Sequence, residues 1–354
     1  MTSIRTKVVF LLVVLLVSPS MLGLASAKFL VETQITFDLA FSGEPAFSRD
    51  GNKIVFISNL DGDPEIFIMD VDGSRSTQLT FNTVEEFDPV FSLDGNKIVF
   101  ISNLDGDFEI FIMDTNGSAL TQLTFNTEEE FNPVFSPDGN KIAFQSNLDG
   151  DSEIFIMNID GSEDTQLTFN TEEDFNPVFS PDGNKIVFAS SRDGDPEIFI
   201  MNTDGSAVTQ LTFNTATDYN PVFSPDGKKI AFASLRDSDY EIFIMNIDGS
   251  EETQLTFNPI QDLRPVFSPD GKKIAFQSDR NGNYEIFIGL LDSDETAESQ
   301  TAVTITETST ITVTGTEGLL STITNATISI PVIAIMALVL ITIIAAFVLM
   351  RRQS

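Results

Sequence analysis

The chain has 354 residues, 53 of them acidic and 19 basic, for a formal net charge of −34, and it contains no cysteine, histidine or tryptophan. Without histidine no Ser-His-Asp triad and no histidine-bearing metal site can be built, and without cysteine there is neither a thiolate zinc site nor a disulfide framework. Acidity on this scale also excludes a phosphate backbone as partner, so nucleic acid is ruled out.

Residues 1–27 read as a secretory signal. Arg5 and Lys7 precede the apolar run Val8 to Val17, and Ala25-Ser-Ala27 offers a small-residue cleavage site. An uncleaved anchor is the competing reading, but the run is short for a membrane span.

From Lys28 to Asp292 one octet organises the chain. Phe-Ser-Pro-Asp-Gly-Asn-Lys-Ile, at Phe135, recurs with small changes at Phe47, Phe91, Phe179, Phe223 and Phe267, always at a spacing of 44 residues. A strict period of this length suits a four-stranded propeller blade. Within one unit, Asn132 to Ser136 reads as an inner strand, Pro137-Asp-Gly139 as a tight turn, and Lys141 to Ser146 as a second strand. Glu153 to Met157 is apolar on both faces, as a covered strand must be, and Ile159-Asp-Gly-Ser162 gives a second hairpin signal. Thr165 to Phe169 is the fourth, outer strand. Phe144, Phe155, Phe169 and their equivalents are expected to fill the core.

One such meander cannot hide both apolar faces, whereas radial repetition lets each sheet cover its neighbour. The ends predict closure. Glu32 to Phe37 copies the outer strand Thr77 to Phe81 with no blade before it, and the last unit stops at Glu285-Ile-Phe-Ile288 without an outer strand. The fold class expected is therefore all-β, a six-bladed propeller of four-stranded antiparallel blades over residues 28–292, its ring closed by the N-terminal strand.

Pro221 to Phe232, followed by Glu241 to Asn246 and Thr253 to Thr256, resembles the TolB-type, WD-repeat-like propeller family. The resemblance covers all six units and implies the fold. It leaves activity open, because such blades occur in periplasmic scaffolds, peptidase accessory domains and sugar-lyase scaffolds alike.

Beyond the repeats the composition shifts. Residues 293–327 are rich in Thr, Ser, Glu and Ala and read as an extended stalk. Residues 328–350 are almost continuously apolar and long enough to span a bilayer as a helix; Arg351 and Arg352 place the tail at 351–354 on the cytoplasmic side. The expected topology is a single-pass membrane protein with its propeller outside the cell.

Nearly all of the negative charge then falls on the propeller, and unevenly. Loops after the second strand carry Asp61-Gly-Asp63, Asp105-Gly-Asp107, Asp149-Gly-Asp151 and Asp193-Gly-Asp195; loops after the fourth carry Glu85-Glu86, Glu128 to Glu130 and Glu172 to Asp174. Both loop sets belong to one face of a propeller, which should be strongly negative, more so in its N-terminal half. Solvated loops are the plain reading of the Asp-Gly-Asp segments. As metal candidates, Asp61, Asp63, Asp105, Asp107, Asp149, Asp151, Asp193 and Asp195 would suit calcium, since hard cations favour clustered carboxylates; no other cofactor is called for. Asp70-Val-Asp72-Gly73 resembles the start of a calcium loop but lacks its closing glutamate, and a hairpin turn explains it better.

The residue before the inner-strand proline varies from blade to blade: Glu44, Asp88, Asn132, Asn176, Asn220 and Arg264. These six should ring the mouth of the central channel, as ligand contacts or as extended-chain fillers. Asn116-Gly-Ser118 is a glycosylation sequon. The reading that fits is a non-enzymatic, membrane-anchored surface module that binds an extracytoplasmic protein, peptide or glycan. A calcium-dependent adhesion or surface-layer component is the second reading, and a carboxylate-based glycan-processing enzyme the third.

Overall fold

The computed structural model describes residues 29–37, 40–148, 150–236 and 238–291. The expected signal segment, stalk and membrane-spanning helix lie outside the described residues. Among the described residues no helix is long and apolar enough to cross a membrane.

Among the described residues twenty-four strands make six four-stranded antiparallel sheets. Blade 3 shows the pattern: inner strand Glu130–Phe135, second strand Lys141–Ser146, third strand Glu153–Asn158 and outer strand Thr165–Gln166. Blades 1 to 5 follow chain order. In blade 6 the outer position is taken by Phe29–Gln34, which runs antiparallel to Glu285–Leu291 with Thr33 opposite Ile288. The ring closes as the orphan segment predicts.

The octet works as a self-contained hairpin. In blade 3 Ser136 N–H bonds the Lys141 carbonyl, Lys141 N–H bonds Ser136 Oγ, and Ser136 Oγ donates to Asp138 Oδ1 at 2.6 Å. That hydroxyl, with the backbone N–H and side-chain amide of Asn140, holds the Asp138 carboxyl down to about 2. In the second hairpin, glycine is required for two reasons. Gly73, Gly117, Gly161, Gly205 and Gly249 have φ of 79–83°, and a Cβ there would stand 2.2–2.6 Å from a carbonyl oxygen of the preceding blade.

The core lies between blades. At the junction of blades 3 and 4, Ala143, Ile154, Ile156 and Leu167 pack on Phe179, Ile186, Phe188, Phe199 and Met201. At the junction of blades 6 and 1, Ile35 joins Ala275, Ile286 and Ile288 against Ile54, Phe56, Phe67 and Met69. Each buried side chain of this size contributes roughly 1.5–3 kcal/mol, so no blade is stable without its neighbour.

One expectation fails. Phe144 and Phe155 are buried as foreseen, but Phe169 is 77% exposed, and Phe37, Phe81, Phe125, Phe213 and Phe257 are similarly exposed. The outer strand is only two residues long. The chain leaves the sheet with Leu167 and Thr168 turned inward, which leaves the next side chain facing water.

Candidate functional site

The six residues before the inner-strand prolines do meet at the channel, where with the following Pro and Val or Ala residues they line a cavity of about 210 Å³. They are not extended-chain fillers. Each has a φ of 49–54°, in the left-handed region, at a β-bulge where the pairing register of the inner strand shifts. Asn and Asp tolerate this conformation; Glu44 and Arg264 do so at a higher cost.

The bulge turns the side chains toward one another around the ring. Glu44 Oε2 accepts the N–H of Asp88 at 2.6 Å, Asp88 Oδ2 accepts the N–H of Asn132 at 3.1 Å, and Asn132 Oδ1 accepts from Asn176 Nδ2 at 3.0 Å. Arg264 bridges Glu44 at 3.0 Å and Asp88 at 2.5 Å. Burial pushes the Glu44 carboxyl up to about 7 despite the Arg264 guanidinium, with the Asp88 carboxyl acting in the same direction as burial. Burial works against the Arg264 charge, but Glu44 and Asp88 more than offset it and its pKa rises. The charged members of the ring therefore serve one another.

The Asp-Gly-Asp loops divide into two kinds of position. Asp61, Asp105 and Asp193 are exposed, and each accepts from an outer-strand glutamine: Gln78 at 2.7 Å, Gln122 at 2.6 Å, and Gln210. Asp63, Asp107, Asp151 and Asp195 are half-buried, and Asp63, Asp151 and Asp195 each carry a buried Oδ2 without a hydrogen-bond partner. Asp149 lies outside the described residues. Asn116 is exposed, and its Oδ1 accepts from the backbone N–H and hydroxyl of Ser118, the turn role Asp72 plays for Ser74.

Sequence reasoning missed what lies beneath these loops. The third strand of every blade has a glutamate at its start, as its first residue except in blade 5, where Glu241 follows Tyr240, and in blades 2 to 6 the inner strand opens on an acid. Backbone bonds across the junctions bring them together: Glu86 N–H to Pro64 O, Glu130 N–H to Phe108 O, Asp174 N–H to Ser152 O and Asp218 N–H to Pro196 O. The pairs are Glu65 with Glu86, Glu109 with Glu130, Glu153 with Asp174, Glu197 with Asp218 and Glu241 with Asp262, and every member is at most 4% exposed. Burial, reinforced by the Glu130 carboxyl, pushes Glu109 up to about 9. Burial likewise pushes Glu86, Glu153, Glu197 and Glu241 up to about 8. Asn82, Asn126, Asn170, Asn214 and Asn258 each donate to the inner-strand acid at 2.5–2.8 Å.

The junctions differ in what balances these acids. Arg192 reaches Asp174 at 2.7 Å, Arg236 reaches Asp218 at 3.5 Å and Arg280 reaches Asp262 at 3.0 Å, each guanidinium lying over third-strand Phe199, Phe243 or Phe287 at 4.3–4.9 Å. Where blades 1 and 2 or 2 and 3 meet, the position of the arginine is held by Leu104 or Leu148. Where blades 6 and 1 meet, Ser42 replaces the inner acid, and Asn283 donates to Glu285 Oε1 at 3.1 Å.

The TolB β-propeller domain model matches residues 29–134, 128–222 and 215–338. The chain belongs to this family. A putative TolB from Agrobacterium tumefaciens superposes with a TM-score of 0.61 at 23% identity, covering 74% of this chain and 97% of that one. TolB from Acinetobacter baumannii gives 0.56 at 22% identity, over 71% of this chain and 64% of that chain. An oligogalacturonate lyase in complex with manganese gives 0.55 at 15% identity, over 76% and 96%. At these identities the likeness is one of fold. No curated protein sequence matches the chain.

Proposed function

We propose that this TolB-family propeller is a non-catalytic binding scaffold, held at the outer surface of a membrane by residues 328–350, that engages an extracytoplasmic protein, peptide or glycan through its acidic face. The observation that carries this reading is a coincidence on one face. Phe81, Phe169, Phe213 and Phe257 each sit between a buried threonine and the asparagine that holds the inner-strand acid, so these exposed phenylalanines rim the face that carries the Asp-Gly-Asp loops. Exposed aromatic rings beside carboxylates suit a partner with cationic and apolar groups; a basic protein segment fits best. Turnover is disfavoured because the closely paired carboxyls repeat from junction to junction and are buried away from any substrate.

The test uses the full chain in lipid nanodiscs, presented to envelope proteins and to a glycan array. Capture should weaken steeply with salt and be lost in a Phe81→Ser, Phe125→Ser, Phe169→Ser variant that still melts cooperatively. Binding indifferent to both salt and the three substitutions would overturn the proposal.

A further inference from the structure

We infer that the junction of blades 2 and 3 is a binding site for a hard divalent cation, calcium in the first place, held by Asp105, Asp107 and Glu109 with Glu130 from the next blade. Ligand oxygens of Asp105, Asp107 and Glu109 all lie within 4.8 Å of one another, and among the described residues this is the one cluster of three acids that converges so closely. The spacing explains the convergence. Asp, Gly, Asp, Phe and Glu run from an exposed turn into a strand, so alternate residues face the same side and step from solvent to core.

A second observation points to a ligand. Glu109 is 0% exposed, yet neither Oε1 nor Oε2 has a hydrogen-bond partner, and Glu130 Oε2 is buried without one as well. Two such oxygens on one buried carboxylate are costly in an interior that otherwise satisfies its polar groups. Glu130 Oε1, by contrast, is fully engaged, by Asn126 at 2.8 Å and Ser146 at 3.0 Å. Its other oxygen is thereby left facing Glu109.

The rest of the ring says what is missing. In the junctions that carry Arg192 or Arg236, the corresponding glutamates, Glu153 and Glu197, each leave only one oxygen without a partner. There the other glutamate oxygen accepts from Asn170 or Asn214 at 3.4 Å, and the arginine supplies a cation to the aspartate of the pair. Between blades 2 and 3 the equivalent position is Leu148, half of whose surface is exposed (47%) and which brings no charge. Four carboxylates from two adjoining segments, open to solvent on the Asp105 side, match the flexible all-oxygen coordination that calcium accepts.

This proposal is independent of the partner-binding reading, because its test needs no partner. The full chain, stripped with EDTA, is titrated with calcium chloride and followed by calorimetry and thermal melting, with sodium chloride at matched ionic strength as control. Calcium should bind with measurable heat and, at a hundredfold excess over its dissociation constant, raise the melting temperature by about 5 °C or more. Glu109→Gln and Leu148→Arg should each abolish the binding heat and that part of the shift, while raising the melting temperature of the calcium-free protein. Glu197→Gln should leave the calcium response intact. Absence of heat and shift at millimolar calcium, an equal shift from sodium chloride, or a response unchanged in Glu109→Gln and Leu148→Arg would each overturn the assignment.

Discussion

The two halves of the ring bury the same acids and balance them differently. Between blades 3 and 6 each inner-strand acid is an aspartate, and the residue 18 positions later is an arginine that bonds it and stacks on a phenylalanine. Between blades 1 and 3 the acid is Glu86 or Glu130 and that later residue is a leucine, Leu104 or Leu148. The seam between blades 6 and 1 removes the acid altogether, with Ser42 and Leu60 at the two positions. The two positions thus change together within a single chain. The lesson is electrostatic: a repeat that places a glutamate at the base of every third strand creates a buried negative charge at each junction, and each junction must dispose of it by an arginine, an amide, a proton or a bound cation.

The comparison can be broken most severely at the seam where the halves meet. Deleting Phe29–Gln34 exposes the last strand of blade 6 and opens the ring; the expected loss is roughly 5 kcal/mol or more, read as a drop of at least about 10 °C in melting or loss of the cooperative transition. Next comes Arg236→Leu, which gives the junction of blades 4 and 5 the leucine without the glutamate. Arg236 is 24% exposed and Asp218 0%, so removing the cation should cost about 3 kcal/mol in chemical denaturation. A loss under about 1 kcal/mol would mean that the arginine is ornamental.

A pH series sharpens the account across the whole ring. Burial pushes Glu153, Glu197 and Glu241 from their ordinary value of 4.5 up to about 8. Between those values the folded protein keeps protons that the unfolded chain has released. Stability is then fully present below about pH 4.5 and falls as pH rises to about 8, contrary to the usual behaviour of paired carboxylates. Melting at 1 M salt separates this from surface repulsion, which salt screens and buried pairs largely escape. A flat or rising profile from pH 5 to 8 would contradict it. The smallest effect is the converse substitution: Leu148→Arg should transplant the arginine solution to the junction of blades 2 and 3 and stabilise the metal-free chain by about 1 kcal/mol.

Much of this ring was legible in the residues. A strict repeat with alternating and doubly apolar strands fixes the blade, and an unpaired strand at one end with a gap at the other fixes closure. The channel positions Glu44, Asp88, Asn132, Asn176, Asn220 and Arg264 were identifiable because they differ in charge beside an unvarying proline. Their backbone was not, since a residue before proline is ordinarily extended, and only the register shift in three dimensions imposes the left-handed bulge. Phe169 was misplaced because periodicity cannot tell where a short edge strand ends. The acid pairs had a visible trace, a glutamate opening the same apolar strand in all six units. Their meeting depends on backbone bonds between residues that a sequence shows as about 20 positions apart, such as Glu130 N–H to Phe108 O.

The most direct measurement compares Glu109→Gln with Glu197→Gln, melted side by side at pH 8 without divalent ions. If the penalty of burying an acid is heavier where no arginine stands, replacing Glu109 raises the melting temperature by several degrees, and replacing Glu197, in the junction that carries Arg236, raises it by less. Equal shifts in the two variants, or a lower melting temperature for Glu109→Gln, would contradict the account.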